Sequence, residues 1–375
     1  DNVIDFFSSQ LEVLYIKGEE MLAINKKRRI PMIVWVGLFL MLIVLSVIVS
    51  VSNGQAEISF WDVGRILVNK FSHGTISTIK DLPVSSVNII WFIRMPRILL
   101  AIFVGLGLAL CGTVMQAVVQ NPLADPYILG ISSGSSLGTT FAILIGFGSG
   151  SVLSQFGVGL GAFVGAMLAT LSVLMLSNIG GRMTSVKLIL SGSVISSLFG
   201  SISNLIVYLA GNSEGIKTIQ FWLMGSLASA SWSKLGMVIA PVLLVLAFFL
   251  TQSRILNVML LGDEAAITLG VSLGKYRRVY MAMTSLITGL IVANSGMIGF
   301  VGLIVPHIVR GLFGSDHKVT LPLTAVCGAL FMIWADLISR ILIHNVELPF
   351  GIIIVMIGAP LFIYIIIKKG YSFGG

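Results

Sequence analysis

The sequence offers several residue patterns that could do chemistry, and most of them fail on spacing. Gly270-Val-Ser-Leu-Gly274-Lys275-Tyr276 has the outline of a phosphate-binding loop. It has one residue too few between its glycines, and Tyr276 stands where a Ser or Thr must ligate magnesium. The four histidines, His73, His307, His317 and His344, show no metal-ligand spacing. The two cysteines, Cys111 and Cys327, lie in apolar stretches and read as small buried hydrophobes. No nucleophile elbow of the G-x-S-x-G type is present. The chain therefore carries no legible catalytic set, no metal site and no nucleotide-hydrolysing site of its own.

Three polar groupings inside or beside apolar segments are more informative, because charge is expensive there. Arg94-Met-Pro-Arg97 opens one apolar segment, and residues three apart on a helix share a face. The spacing predicts two guanidiniums directed together at the outer surface, joined by Arg340 near the end of a later segment with Glu347 just beyond. They serve either as headgroup anchors or as a cationic platform for a partner's carboxylates. Between two apolar segments lies Gln116-Ala-Val-Val-Gln-Asn121-Pro-Leu123-Ala-Asp125-Pro126. Its prolines interrupt helices, and Asn121 and Asp125 can satisfy the freed backbone groups. It is an ordinary tight turn or a constriction in a pathway. The third grouping, Met259 to Gly270, reads as a short helix with Asp263 and Glu264 at its positive end and Gly262 and Gly270 at its limits. Its small, partly apolar face suits a groove in another protein better than open solvent.

The elements that must position these groups are membrane spans. Of the 375 residues, 56% are hydrophobic and only 10% charged, with a mean hydropathy of +1.03. Soluble domains carry about 25% charged residues, so lipid must be much of this chain's solvent. Ten segments are long and apolar enough to cross a bilayer: about 32–52, 97–119, 126–147, 156–178, 187–210, 236–252, 278–296, 298–312, 320–342 and 349–367. Reading 278–312 as one broken helix gives the competing count of nine. Lys26, Lys27, Arg28 and Arg29 before the first span and Lys368 and Lys369 after the last place both termini in the cytoplasm, which requires an even number. With ten spans only Arg65, Lys70, Lys80, Arg94, Arg97, Lys217, Lys234 and Arg340 lie outside, leaving 15 of the 23 basic residues inside, Arg182 among them. The formal charge of +8 is thus a topological bias and not a nucleic-acid surface.

Glycines recur every fourth residue at Gly130, Gly134 and Gly138 and at Gly157, Gly161 and Gly165. That spacing predicts close helix–helix packing. Residues 53–93 form the longest soluble loop, with a short surface helix expected in Ala56–Phe71. Residues 1–30 read as a cytoplasmic or interfacial segment, 31–369 as one transmembrane domain and 370–375 as a tail. The sequence starts at Asp1, which reads as a trimmed or incomplete N-terminus, and shows no signal-peptide pattern. The expected fold is all-α and polytopic.

The strings "IRMPR", "GTVMQAVVQNPLADPYILGISSGSSLG", "FWLMGSL", "LGDEAAITLG", "GMIGFVGLIVPHIVR", "DHKVTLP", "ADLISR" and "ELPFGIIIVMIGAPLFI" occur in that order. Together they resemble the FecCD permeases of bacterial ABC importers for ferric siderophores, haem and cobalamin. The resemblance spans residues 30–369 and implies a multi-pass protein of the bacterial cytoplasmic membrane, embedded in lipid. It implies a second permease subunit, two ATPase subunits that use ATP and magnesium, and an extracytoplasmic substrate-binding protein delivering an iron chelate. Residue by residue, it implies that Arg94, Arg97 and Arg340 dock the binding protein. It implies that Leu261, Gly262, Asp263, Glu264, Ala265, Ala266, Leu269 and Gly270 form the coupling helix seated in the ATPase. It further implies that Asn121 and Leu123 form one cytoplasmic gate loop and Thr184 and Ser185 the other. The 187–210 span, with Ser193, Ser197 and Gly200, would line the path. The reading from another class is an ion-coupled secondary transporter. It wants ionisable residues deep in the spans, and Asp336, with Arg340 one turn away, is the sole carboxylate near mid-span.

Overall fold

The computed structural model describes residues 31–146, 152–181, 183–344 and 346–369. The expected N-terminal segment 1–30 with its basic run, Arg182 and the tail 370–375 lie outside the described residues. Among those described, the regular structure is helical apart from one isolated bridge between Ile343 and Val346.

Each of the ten expected spans falls on a helix. These are α1 (Met32–Ser52), α3 (Val84–Val119), α4 (Ile131–Leu144), α5 (Val152–Asn178), α6 (Ser185–Ala210), α8 (Trp232–Thr251), α11 (Leu273–Ser295), α12 (Val301–Phe313), α13 (His317–Ile341) and α14 (Phe350–Lys369). Six of them, α1, α3, α5, α6, α8 and α13, are long and apolar enough to cross a membrane by themselves. Shorter helices complete the chain: α2 (Phe60–Phe71), α7 (Ser213–Leu223), α9 (Ser253–Leu260) and α10 (Asp263–Thr268). The stretch 278–312 is broken, not continuous. It turns at Gly296 (φ 66°) and Phe300 (φ 67°), and a side chain at Gly296 would overlap the Trp222 carbonyl.

α3 is the central helix. The apolar window of α3 is 83% buried inside the protein, against 6% for α1, which turns nearly all of its surface outward. Small residues decide the difference. β-Carbons on Gly105 and Gly112 of α3 would overlap the carbonyls of Gly328 on α13 and Gly302 on α12. The same device joins α4 to α5, where β-carbons on Gly134 and Gly138 would overlap the carbonyls of Gly165 and Gly161. Close backbone approach of this kind is how helices associate where apolar burial gives no advantage over lipid.

α3 also starts earlier than its apolar run. It begins at Val84 and passes through a π-helical turn, Ile89–Arg94, directly before Pro96. Proline has no N–H to give and its ring crowds the preceding turn. A π-turn is one way a helix absorbs that disruption without ending. The consequence is that Arg94 and Arg97 sit inside a long helix and not at its mouth.

Candidate functional site

The outer arginines are the first correction. The sequence directs Arg94, Arg97 and Arg340 at the outer surface, as headgroup anchors or as a docking platform, but only 4%, 4% and 7% of these residues is exposed. The Arg94 guanidinium donates to the carbonyls of Val51 (2.7 Å), Ser52 (3.2 Å) and Ala56 (2.6 Å). It fills the space over Gly54, where a β-carbon would lie 2.7 Å from Nη2. Arg97 Nε donates to Asp336 Oδ1 (2.7 Å), and its Nη2 pairs with Glu347 Oε1 (2.7 Å). Arg340 Nε donates to the other Asp336 oxygen (3.0 Å), and its remaining nitrogens reach Asn53 O (3.1 Å) and Ser50 O and Oγ (3.2 and 2.7 Å). The physical reason is the loop after α1. It folds back over the end of α3 and, with the last turn of α1, supplies carbonyls to Arg94 and Arg340, while Asp336 and Glu347 receive Arg97. Three cations face two carboxylates, so one positive charge remains in excess, and Glu347 at 41% side-chain exposure is the solvent-accessible member.

Asp336 is fully buried and held by two guanidiniums. A carboxylate so committed is an ion-pair partner and offers no free site for a coupling ion, which removes the feature that favoured a secondary transporter.

At the opposite end, assigned to the cytoplasm by the charge bias, α3 stops at Gln120 in the left-handed region (φ 55°). Asn121 Oδ1 accepts from Leu123 N (2.9 Å), and Asp125 Oδ1 accepts from Tyr127 N (2.9 Å) at the 3-10 turn Pro126–Leu129. The expected polar repair of the proline-rich turn is present, and the Leu123 side chain projects outward. The second expected gate residue, Thr184, caps α6 by accepting from Lys187 N (3.3 Å). Ser185 Oγ lies within 3.4 Å of Gln120 Oε1. The two proposed gate loops therefore touch.

The expected coupling helix is α10, with Gly262 (φ 94°) before it and Gly270 (φ 76°) after it. Leu261, Ile267 and Leu269 are exposed, as a docking face requires, and Glu264 is exposed beside them. Two of its expected face residues turn inward. Ala266 is fully buried, and Asp263 forms an ion pair with Arg277 of α11 at 2.6 Å. The Arg277 hydrogen bond holds the Asp263 carboxyl below the usual carboxylate range, against an opposing effect of burial. α9, just before, is tied down separately. Asn257 donates to Asp316 Oδ1 (2.8 Å) and accepts from His317 N (2.9 Å), and the Asn257 bond holds the Asp316 carboxyl low.

Between the two ends, α6 shows a face that no other described helix covers. Leu190, Ser193, Val194, Ser197, Leu198, Ser201, Ile202, Asn204, Leu205 and Tyr208 are exposed. A β-carbon on Gly200 would meet nothing within 4 Å. Three serine hydroxyls and the Asn204 amide alternate with aliphatic groups, and no charged residue lies between Leu188 and Ala210.

Residues 41–368 match the model of the FecCD transport family. The chain belongs to this family. It is similar to a molybdate import permease of Haemophilus influenzae, 35% identical over 88% of this chain and 94% of the relative. It is equally similar to a hemin transport permease of Yersinia pestis, 34% identical over 89% and 95%. A solved transporter described as metal-chelate type, in an inward-facing conformation, superposes with a TM-score of 0.75. It is 32% identical and covers 89% of this chain and 98% of its own. As a FecCD protein the chain is an ABC importer permease, a transport subunit of multi-pass topology in the bacterial cytoplasmic membrane.

Within this FecCD chain the sequence reading missed Arg277 and Gln120. Arg277 counts there only as a cytoplasmic charge next to Arg278. A signal was available: Arg277, Tyr280, Met281 and Thr284 follow helical spacing and are all buried, so Arg277 shares the inward stripe of α11.

Proposed function

We propose that this chain forms, with a second permease subunit, the membrane path for an iron(III)–siderophore complex handed over by an extracytoplasmic binding protein. ATP and magnesium are used by two separate ATPase subunits, which seat against the exposed apolar residues of α10. The observation that carries the reading is the uncovered α6 face. A row of serine hydroxyls costs little in water but gains nothing facing lipid, so it favours a partner helix or a wet path. The same face holds no charge that would trap a chelate in transit. A siderophore complex presents amide and ether groups and aliphatic edges, which this alternation matches.

Asn121, Leu123, Thr184 and Ser185 close the cytoplasmic end in this reading. Arg94, Arg97 and Arg340 serve docking through the cluster's excess charge, with Glu347 yielding Arg97 to a carboxylate of the binding protein. The similarity to a hemin permease supports a second reading, haem or cobalamin on the same path.

The test is uptake into vesicles holding the chain with its co-purified ATPase and its binding protein. ATP-dependent accumulation of a radiolabelled ferric hydroxamate, with no competition from haem, cobalamin or molybdate, is the expected result. Accumulation of haem or cobalamin instead selects the second reading. Uptake driven by an ion gradient without ATP overturns both.

A further inference from the structure

Three cytoplasmic segments meet on the Arg277 side chain, of which 1% is exposed. Nε donates to Val118 O (3.1 Å), in the last turn of α3. Nη1 donates to Met183 O (3.1 Å), beside the second gate loop, and to Asp263 Oδ2 (3.0 Å) on α10. Nη2 donates to Ser185 Oγ (3.2 Å) and to Asp263 Oδ1 (2.6 Å). A guanidinium has five N–H groups in a fixed plane, and each has an acceptor here. Gln120 closes the ring, donating to Asp263 Oδ1 (3.0 Å) and Met259 O (2.9 Å).

Of the elements joined this way, α10 is the most loosely held. α10 buries only Ala266 and lies between two glycines at positive φ, backbone positions that turn freely. Asn121–Leu123 and Thr184–Ser185 are the ends of different helices, far apart in sequence. α11, which carries Arg277, is buried along the stripe that includes Tyr280, Met281 and Thr284 and is fixed in the bundle.

We infer that Arg277 is a positioning residue that ties α10 to the second gate loop and to the end of α3 from which the first gate loop leaves, so that a displacement of α10 moves the second gate against the first. The inference rests on the importer reading for the meaning of that displacement, but the tie itself is a property of this chain. A fork aimed at four different groups transmits direction as well as charge. An ammonium at the same place has three donors and one point of charge, and it cannot span them.

The tie is measured on the full chain in lipid nanodiscs with spin labels at Glu264→Cys on α10 and Val186→Cys on α6, in a background with Cys111 and Cys327 replaced by Ala. The wild-type arrangement gives one narrow distance distribution. Arg277→Gln broadens it, and Arg277→Lys broadens it as much, although lysine restores the charge. In the assembled complex with ATPase, both variants keep ATP hydrolysis but transport about tenfold less substrate per ATP, the loss expected for one charged hydrogen bond. Should Arg277→Gln fail to fold, Asp263→Asn cuts the charge tie to α10 and leaves the guanidinium its other acceptors. A narrow distribution in folded variants, rescue by lysine, or an unchanged transport-to-ATP ratio overturns the inference. If the wild-type chain binds no ATPase, the importer reading fails while the spin-label result still decides the tie.

Discussion

Two buried arginine clusters stand at opposite ends of this protein, built from the same chemistry and suited to different tasks. At the outer end Arg97 holds Asp336 and Glu347, Arg340 shares Asp336, and Arg94 and Arg340 take carbonyls from the end of α1 and the loop after it. Two of the helices they join, α3 and α13, are already packed along their length, with Gly105 against Gly328. At the inner end Arg277 joins α10, which buries only Ala266, to the second gate loop and to the end of α3, with Gln120 as a further bridge. An ion pair between elements that are fixed anyway adds an anchor. An ion pair between elements that are otherwise free sets their relative motion. Burial and distance alone do not tell these apart; the packing of the joined elements does.

The comparison breaks most directly at Asp336. Asp336→Ala leaves Arg97 and Arg340 buried without their shared carboxylate, and removing one partner of such a pair costs about 3–5 kcal/mol. We expect loss of folded protein or a large fall in unfolding temperature in detergent. The corresponding change at the inner end, Asp263→Ala, also takes a carboxylate from a buried guanidinium, but it lowers that temperature less, because the Asp263 side chain is about one-third exposed and water can take its place beside Arg277. Equal destabilisation at both ends would erase the distinction.

Glu347→Gln sharpens it within the outer cluster. Exposed ion pairs contribute about 0–1 kcal/mol, so stability should hardly change. Freed of its own carboxylate, Arg97 is then open to one from outside, and titration with the binding protein should show tighter, more salt-sensitive association. Weaker association would mean that Glu347 itself contacts the partner. Reversing all three arginines is a poorer experiment, since it buries new carboxylates beside Asp336 and tests folding instead of docking.

The smallest expected effect is pH. Asp263 titrates below its ordinary range of about 3.9. The stabilisation from its ionised form is therefore complete above that range and is lost only as pH falls through the lower, folded value. The α10-to-α6 label distance should stay constant from pH 8 to pH 5. A change in that window would point to a titrating group other than Asp263.

Composition and patterning made the architecture legible. Every expected span coincides with a helix, the prolines and glycines from Gln116 to Pro126 mark the turn found there, and Gly262 and Gly270 bracket α10. These features are local, set by chain length against bilayer thickness and by backbone chemistry. The order of the motif strings was enough to indicate the family. What sequence could not give was direction. Two helices of similar apolarity, α1 and α3, ended on the outside and in the centre, because position depends on which small residues find a complementary backbone. Arg94 turned inward because carbonyls from the end of α1 and the loop after it, some 40 residues earlier, arrived to receive it, and Arg97 because Asp336 and Glu347 did. Arg277 became a junction because five acceptors from three distant segments converged on one plane. A charge in a membrane protein must be satisfied somewhere, which the sequence states. Which groups satisfy it is decided only when distant segments meet.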